Sequence, residues 1–517
     1  MTDTNQSEDV MNYLQELHRA AGFQWSAEEL TPQRAMIVKD GDVLGFFDRH
    51  PDRDQDLFVN VLVALLVNLP LDEMRDSAKD ARGEQKSPLG RFMIAVDELL
   101  SQIDDEIQSK LTLVLRDPGF REIERNFRML SELVDSVTTD KIEIDVLDVT
   151  VDELREDIRD NVNHIMGSSL FQRLYVDEYD RFGGIPFGSV VGLFEFDPSD
   201  DEDLQFLRGL GKLASHCHAP FIGGLSPRFF GLSSFSGLAA LDQLESVLER
   251  PRYGKWEAFR DEHEAAYVGL TLPRYLLRRP HESAGEGRLE FKEEIRNSDD
   301  YLWGNAAALL ARNMIRSFEL SGWCQHVRGP EGGGLIRGLP THVFESQGHL
   351  IEQPPVDAAL PDYRELQLAM AGFIPLVSKK DEPDQACFFS VQSAKKPKTF
   401  VEELATQNAH LVTNLSYTLS VSRIAHYIKR MVRDYIGSTA DGPYIQNMLE
   451  SWLSEYVTTV TNPDDRTLAR YPFKAVSVTV EPKMGALGWY KCTTSLLPHV
   501  QFEGMDVELR LEAALGG

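Results

Sequence analysis

Four cysteines in 517 residues, Cys217, Cys324, Cys387 and Cys492, lie far apart and form no C-x-x-C pair. That spacing excludes a disulfide-stapled fold and fits a reducing compartment, so the expected location is the cytoplasm. Long apolar runs are also missing. The longest, from Leu57 to Leu71, is interrupted by Asn60 and Asn68 and falls short of the ~20 residues of a membrane span, so it predicts a buried helix. The acidic, polar N-terminus (MTDTNQSEDV) lacks the basic start and apolar run of a signal peptide. Basic residues are scarce: 53 Lys and Arg face 82 Asp and Glu, for a net charge of −29. Such a surface repels phosphate, and neither nucleic acid nor a membrane is an expected partner.

Enzyme signatures are absent as well. Gly332-Gly333-Gly334 is not followed by the Lys-Ser/Thr of a nucleotide loop, and predicts instead a tight turn with positive φ. His263-Glu264 begins like H-E-x-x-H, but Tyr267 stands where the second zinc-binding histidine belongs. His216 and His218, two apart on a predicted helix, point away from each other. In Gly224-Leu225-Ser226-Pro227-Arg228, Arg228 replaces the final glycine of a nucleophile elbow. No catalytic residue, metal site or cofactor is expected; the alternative is a cytoplasmic metal- or nucleotide-dependent enzyme built on His216–His218 or the glycine triplet.

What is present is a globular composition, 42% hydrophobic and 26% charged, in a mixed α/β order. The first 160 residues hold 18 basic and 36 acidic side chains, −18 of the −29 total. They read mainly as helix, starting with the spacing Met11, Leu14, Leu17 and Ala21, and continuing with Gly90–Leu115 and Phe120–Val137 on either side of Asp117-Pro118-Gly119. Ile142–Val149 (IEIDVLDV) alternates and predicts a strand, as does Val190–Phe196, and Asp201–Cys217 predicts a helix. His281–Asn297 predicts a surface loop. Leu411–Ile436 predicts a long helix ended by Gly437, and Ala475–Val480, Trp489–Leu497 and Asp506–Leu515 predict three strands. The expected domains are a helical region over 1–115, a mixed α/β body over 116–410, and a long helix with C-terminal strands over 411–517.

Two features point to binding. At ~100° per residue, Arg423, His426, Arg430 and Arg433 fall within about 80° of one another, a basic stripe suited to an acidic partner or to local carboxylates. In the last predicted strand Val507, Leu509, Leu511 and Ala513 alternate with Glu508, Arg510 and Glu512. Such a strand completes a local meander or pairs with another molecule's sheet edge.

Longer words then carry a family likeness. Leu170-Phe171, the loop Gly183–Gly188 (GGIPFG), His218–Phe221 (HAPF), Trp256 with Phe259-Arg260, Val268–Arg278 (VGLTLPRYLLR) and Tyr301–Ala307 (YLWGNAA) occur in order. Arg328–Pro340, Gly372–Leu376, Ser422–Gly437 and Asp506–Leu511 follow. In these the chain resembles the large subunit of the type VI secretion contractile sheath, from about Phe120 to Leu515. It departs from the usual pattern at Phe127–Leu130, Ala266 and His281, and the first 90 residues match nothing in the family.

The resemblance implies a structural protein with a multidomain contractile-sheath fold, phage tail-like in organisation. It implies an obligate heterodimer with the small sheath subunit and a helical polymer of many heterodimers around an inner tube protein. A baseplate and an AAA+ disassembly ATPase are the other implied partners. Strand exchange between protomers would use Val507, Glu508, Leu509, Arg510 and Leu511. Inner-tube contact would use Arg423, His426, Arg430 and Arg433.

Overall fold

The structure is a computed structural model. It describes residues 12, 37–41, 61, 62, 65, 88–241, 244–282, 291–346, 349–398, 400, 406, 409–410, 412–436, 438, 440–458, 460, 465–483, 489–498 and 509–515. The helices expected around Met11–Ala21 and Leu57–Leu71 lie essentially outside the described residues. The chain divides into two units, 1–115 with 281–293 and 116–280 with 294–517. In the first, α1 (Pro88–Arg116) leaves Met93, Leu100, Ile103, Ile107, Leu111 and Val114 exposed at helical spacing. Residues 281–293 of the expected surface loop fall in this unit, where the His281 amide donates to the Glu293 carboxylate at 2.9 Å.

The second unit opens with α2 (Pro118–Asp135). Asp117 supplies its cap, accepting from the Phe120 amide at 2.9 Å, and Pro118 sits where a helix has no use for an amide donor. After α3 (Val151–Asp160) comes a sheet whose parallel core is β1 (Val190–Phe196), β2 (Phe221–Leu225) and β3 (Val268–Leu272). A short ribbon, β4 (Tyr275–Leu276) with β5 (Trp303–Gly304), follows, then β6 (Leu335–Ile336) and a hairpin, β7 (His342–Ser346) with β8 (His349–Gln353). The sheet is finished by β9 (Ile374–Ser378) and β10 (Ala386–Phe388), in the order β1-β2-β3-β9-β10-β6. The first four strands are parallel, and the last two pairings are antiparallel.

Parallel strands covered on both faces read as continuous apolar runs, and every residue of β2 and β3 is buried. Successive side chains point to opposite faces. Phe221 joins a core with Leu204, Leu207 and Leu210 of α4 (Asp201–Cys217). Ile222, its neighbour, joins a core with Ala307, Leu309 and Leu310 of α5 (Ala306–Ser321). Asn305 fastens α5 to the sheet. Its side-chain oxygen caps the helix, accepting from the Ala307 amide at 2.9 Å, while its amide donates to the Phe194 carbonyl of β1 at 2.9 Å. Gly224 on β2 is the reason Asn305 fits, because a Cβ there would lie 2.6 Å from that amide nitrogen.

The C-terminal part has its own core. Ile424 and Ile428 of α6 (Leu415–Arg433) and Ile445 and Leu449 of α7 (Gly442–Ser454) meet an antiparallel meander there. Its strands are β11 (Phe473–Pro482), β12 (Tyr490–Pro498) and β13 (Leu509–Leu515). Helix α6 is shorter than the expected 411–436 because Asn414 caps it, accepting from the Ser416 amide at 3.1 Å. The expected turn at the glycine triplet is present, with Gly333 at φ 90°. The expected strand at 142–149 is not: among the described residues they pair with no strand.

Replacing Asn305 with Ala removes a helix cap and leaves β1 carbonyls without their donor. The expected cost is about 2–3 kcal/mol, read as a lower urea midpoint by tryptophan fluorescence. An unchanged midpoint would show that these hydrogen bonds do not hold α5 to the sheet.

Candidate functional site: the basic helix and the C-terminal strand

The two binding features adjoin, since α6 runs against β13. Strand β13 pairs antiparallel with β12 of the same chain, from Leu509 opposite Leu496 to Leu515 opposite Tyr490. Arg510 stands opposite Ser495 and Leu511 opposite Thr494. Val507 and Glu508 lie outside the described residues. At the other side of the meander, α7 satisfies β11: Glu450 accepts from the Val478 amide at 3.3 Å, and Gln446 from the Val480 amide at 3.2 Å. One edge of the sheet is thus occupied by helix side chains, and β13 forms the opposite one.

Three of the four stripe residues on α6 engage their own chain. Arg423 donates to the Tyr427 hydroxyl at 2.6 Å, and its guanidinium carbon lies 4.4 Å from the Phe318 ring centre. His426 donates from Nε2 to the Cys217 carbonyl at 2.9 Å, which places its proton on that nitrogen. Arg433 donates to the Arg181 carbonyl at 2.7 Å and to the Tyr179 carbonyl at 3.1 Å. Arg430 is exposed.

The bonds of Arg433 meet the end of a π-helical stretch, Gln172–Tyr179, closed by the Asp180 amide donating to the Tyr175 carbonyl at 2.6 Å. The i to i+5 pattern lines up Phe171, Tyr175 and Tyr179, with ring centres 4.7 and 5.2 Å apart. Lys429 caps the ladder. Its ammonium lies 3.8 Å from the Tyr179 ring centre and 2.8 Å from the Asp180 carboxylate. Burial lowers the Lys429 pKa, and Asp180 opposes the shift. Periodicity alone passed over Lys429, which follows His426 by three residues but lies at the rim of the stripe; Asp180 beside the glycine loop was the available signal.

His218 sits across from His426, their ring centres 6.4 Å apart, and contacts the Tyr267 hydroxyl at 3.3 Å. It ends α4 in the left-handed region, at φ 48°. Burial lowers both imidazoles to about 4, helped for His218 by neighbouring His426 and opposed for His426 by its bond to Cys217. Among the described residues no group of three or more His, Cys, Asp or Glu could hold a metal ion. Cys217, Cys387 and Cys492 are buried, and burial raises the thiols of Cys217 and Cys387 to about 12 and that of Cys324 to about 11. No described helix is long and apolar enough to cross a membrane.

The histidine pair sets a pH dependence with a definite sign. Folded His218 and His426 bind a proton near pH 4 and the unfolded residues near 6.5, so the unfolded chain holds more protons between these values. Stability is therefore fully present above pH 6.5 and falls as the pH drops towards 4. His426→Gln should flatten the decline of Tm between pH 7 and 5 relative to the parent chain. Parallel curves would mean that His426 does not titrate in this way.

Comparison with known proteins agrees with this architecture. Residues 97–395 match the EvpB/VC_A0108 tail sheath N-terminal domain, and residues 404–515 match the EvpB/VC_A0108 tail sheath gpW/gp25-like domain. The type VI secretion system sheath protein TssC1 of Pseudomonas aeruginosa is 35% identical over 441 residues, spanning 84% of this chain and 88% of that protein. A chain in the cryo-EM structure of the anti-feeding prophage baseplate aligns at 11% identity over 73% of this chain and 80% of that one, with a TM-score of 0.33, too slight a likeness to bear on the fold. On the two domain matches and the extended identity, the chain belongs to the EvpB/VipB tail sheath family, the large sheath subunits of type VI secretion.

Proposed function

We propose that this chain pairs with the small sheath subunit and polymerises into a helical tube around an inner tube, whose expulsion is driven by contraction of that polymer. The observation that carries the reading is the succession of both tail sheath domains along 97–515. The chain works in the cytoplasm as a structural part, joined to a baseplate and dismantled by an AAA+ ATPase. Its domains are the helical region 1–115, the body 116–410 and the assembly region 411–517.

Within that last region, residues 507–511 exchange between protomers. The pairing of β13 with β12 fits a strand that closes a sheet of its own chain or the same sheet of a neighbour, since the ladder is identical in both. The position of β13 at the edge of a three-stranded meander supports this reading. Helix α6 turns its basic side to the inner tube. Arg430 is the freest of the stripe, while Arg423, His426 and Arg433 hold the helix in position through their own contacts. Each exposed ion pair with an acidic tube contributes roughly 0.2–1 kcal/mol, weak singly but repeated in every subunit.

Removing residues from Asp506 onward should leave a soluble heterodimer that forms no long sheaths in negative-stain microscopy; long sheaths from that deletion would refute strand exchange. Arg430→Glu should reduce co-sedimentation of sheath with inner tube protein, and the triple change with Arg423→Glu and Arg433→Glu should reduce it further. Undiminished co-sedimentation of both variants would remove α6 from the tube interface.

A further inference from the structure

Residues 142–149 have the pattern of a strand without a sheet. Their two ends are fixed. Upstream, Glu319 of α5 accepts from the Thr138 amide at 2.7 Å and the Thr138 hydroxyl at 2.9 Å. Downstream, Thr150 and Glu153 form a reciprocal capping box at the start of α3, with the Thr150 amide donating to Glu153 at 2.9 Å. Ile142 and Ile144 pack against the same core as Val191 and Leu193 of β1, the edge strand of the large sheet.

Between these anchors the backbone finds no partner among the described residues. From Glu143 to Val149 no amide or carbonyl hydrogen-bonds to a described residue. Val146 and Leu147 are 62% and 43% exposed, in a segment whose alternation suits a half-buried strand. An extended segment tied at both ends has already lost much of its conformational freedom, so pairing it with another strand costs less than ordering a loose loop.

We infer that residues 142–149 are a docking strand, completed by an extended segment of another polypeptide in which basic and apolar residues alternate. The charge pattern selects that partner. Glu143 and Asp145 share one face and are exposed, with Asp148 exposed nearby, and opposite charges across paired strands are favourable where like charges are not. The other face runs from partly buried Ile144 to exposed Val146, which an apolar neighbour would cover. A second copy of this chain fits poorly: its own alternating strands carry a mixed set, Lys474, Glu481, Lys491, Arg510 and Glu512. On the sheath reading, from which this inference takes its partner, the incoming strand belongs to the small subunit.

The test is hydrogen exchange of the full chain, alone and co-expressed with the small sheath subunit. Alone, the amides of 143–149 should exchange close to the unprotected rate; in the complex, alternate amides should slow at least about tenfold. Glu143→Lys with Asp145→Lys, both exposed, should leave the isolated chain folded and abolish that protection. A complex that forms while 143–149 stay fast overturns the docking strand and leaves the sheath reading intact. Protection in the chain alone that grows with concentration assigns the strand to a second copy and also overturns it. Failure to form any complex removes the sheath reading, and this inference with it.

Discussion

A parallel sheet tolerates water on neither face, and that constraint organises the larger unit. Helix α4 covers one side and α5 the other; Phe221 and Leu225 of β2 join the first core with Val268, Leu270 and Leu272 of β3, while Ile222 joins the second. The polar exceptions sit where the backbone needs them. Asn305 is buried because it caps α5 and serves β1 carbonyls in one place, and Gly224 makes room for it. With both faces closed, the sheet can meet other molecules only along its edges and through the elements attached to them.

The C-terminal part follows a different rule. An antiparallel meander needs cover on one face only, and α6 and α7 provide it through Ile424, Ile428, Ile445 and Leu449. Helix α6 belongs to both environments. Its apolar side fills that core, while Lys429, His426 and Arg433 tie it to the π-helical stretch and to the end of α4. Helix α6 is therefore joined to the body through a small set of polar contacts at its partly exposed side.

Much of this was legible in the sequence where pattern and environment agree. Val190–Phe196 and Asp201–Cys217 fall at the expected limits, because an apolar run bounded by turn residues and an Asp-capped amphipathic run each permit one structure. Asp117-Pro118-Gly119 likewise marked the start of α2. Ile142–Val149 failed for a physical reason: alternation reports fitness for a strand, and pairing also needs a neighbour within the chain. The basic stripe was legible as a stripe but not as a clamp, since its acceptors, the carbonyls of Tyr179, Arg181 and Cys217, are backbone atoms from distant sequence. The π-helical ladder of Phe171, Tyr175 and Tyr179 left a faint i, i+4, i+8 aromatic trace that an ordinary helical reading absorbs.

The fate of the cysteines has a practical side. Burial holds the thiols of Cys217, Cys324 and Cys387 almost wholly protonated at neutral pH, and it raises Cys492 as well. Because the thiolate is the reacting species, the folded chain presents a nearly silent background to maleimides. A single cysteine engineered on the outer face of α6 or beside Val146 would then carry a fluorophore or spin label to one defined place. Movement at that place would be readable without first stripping the native thiols from the core.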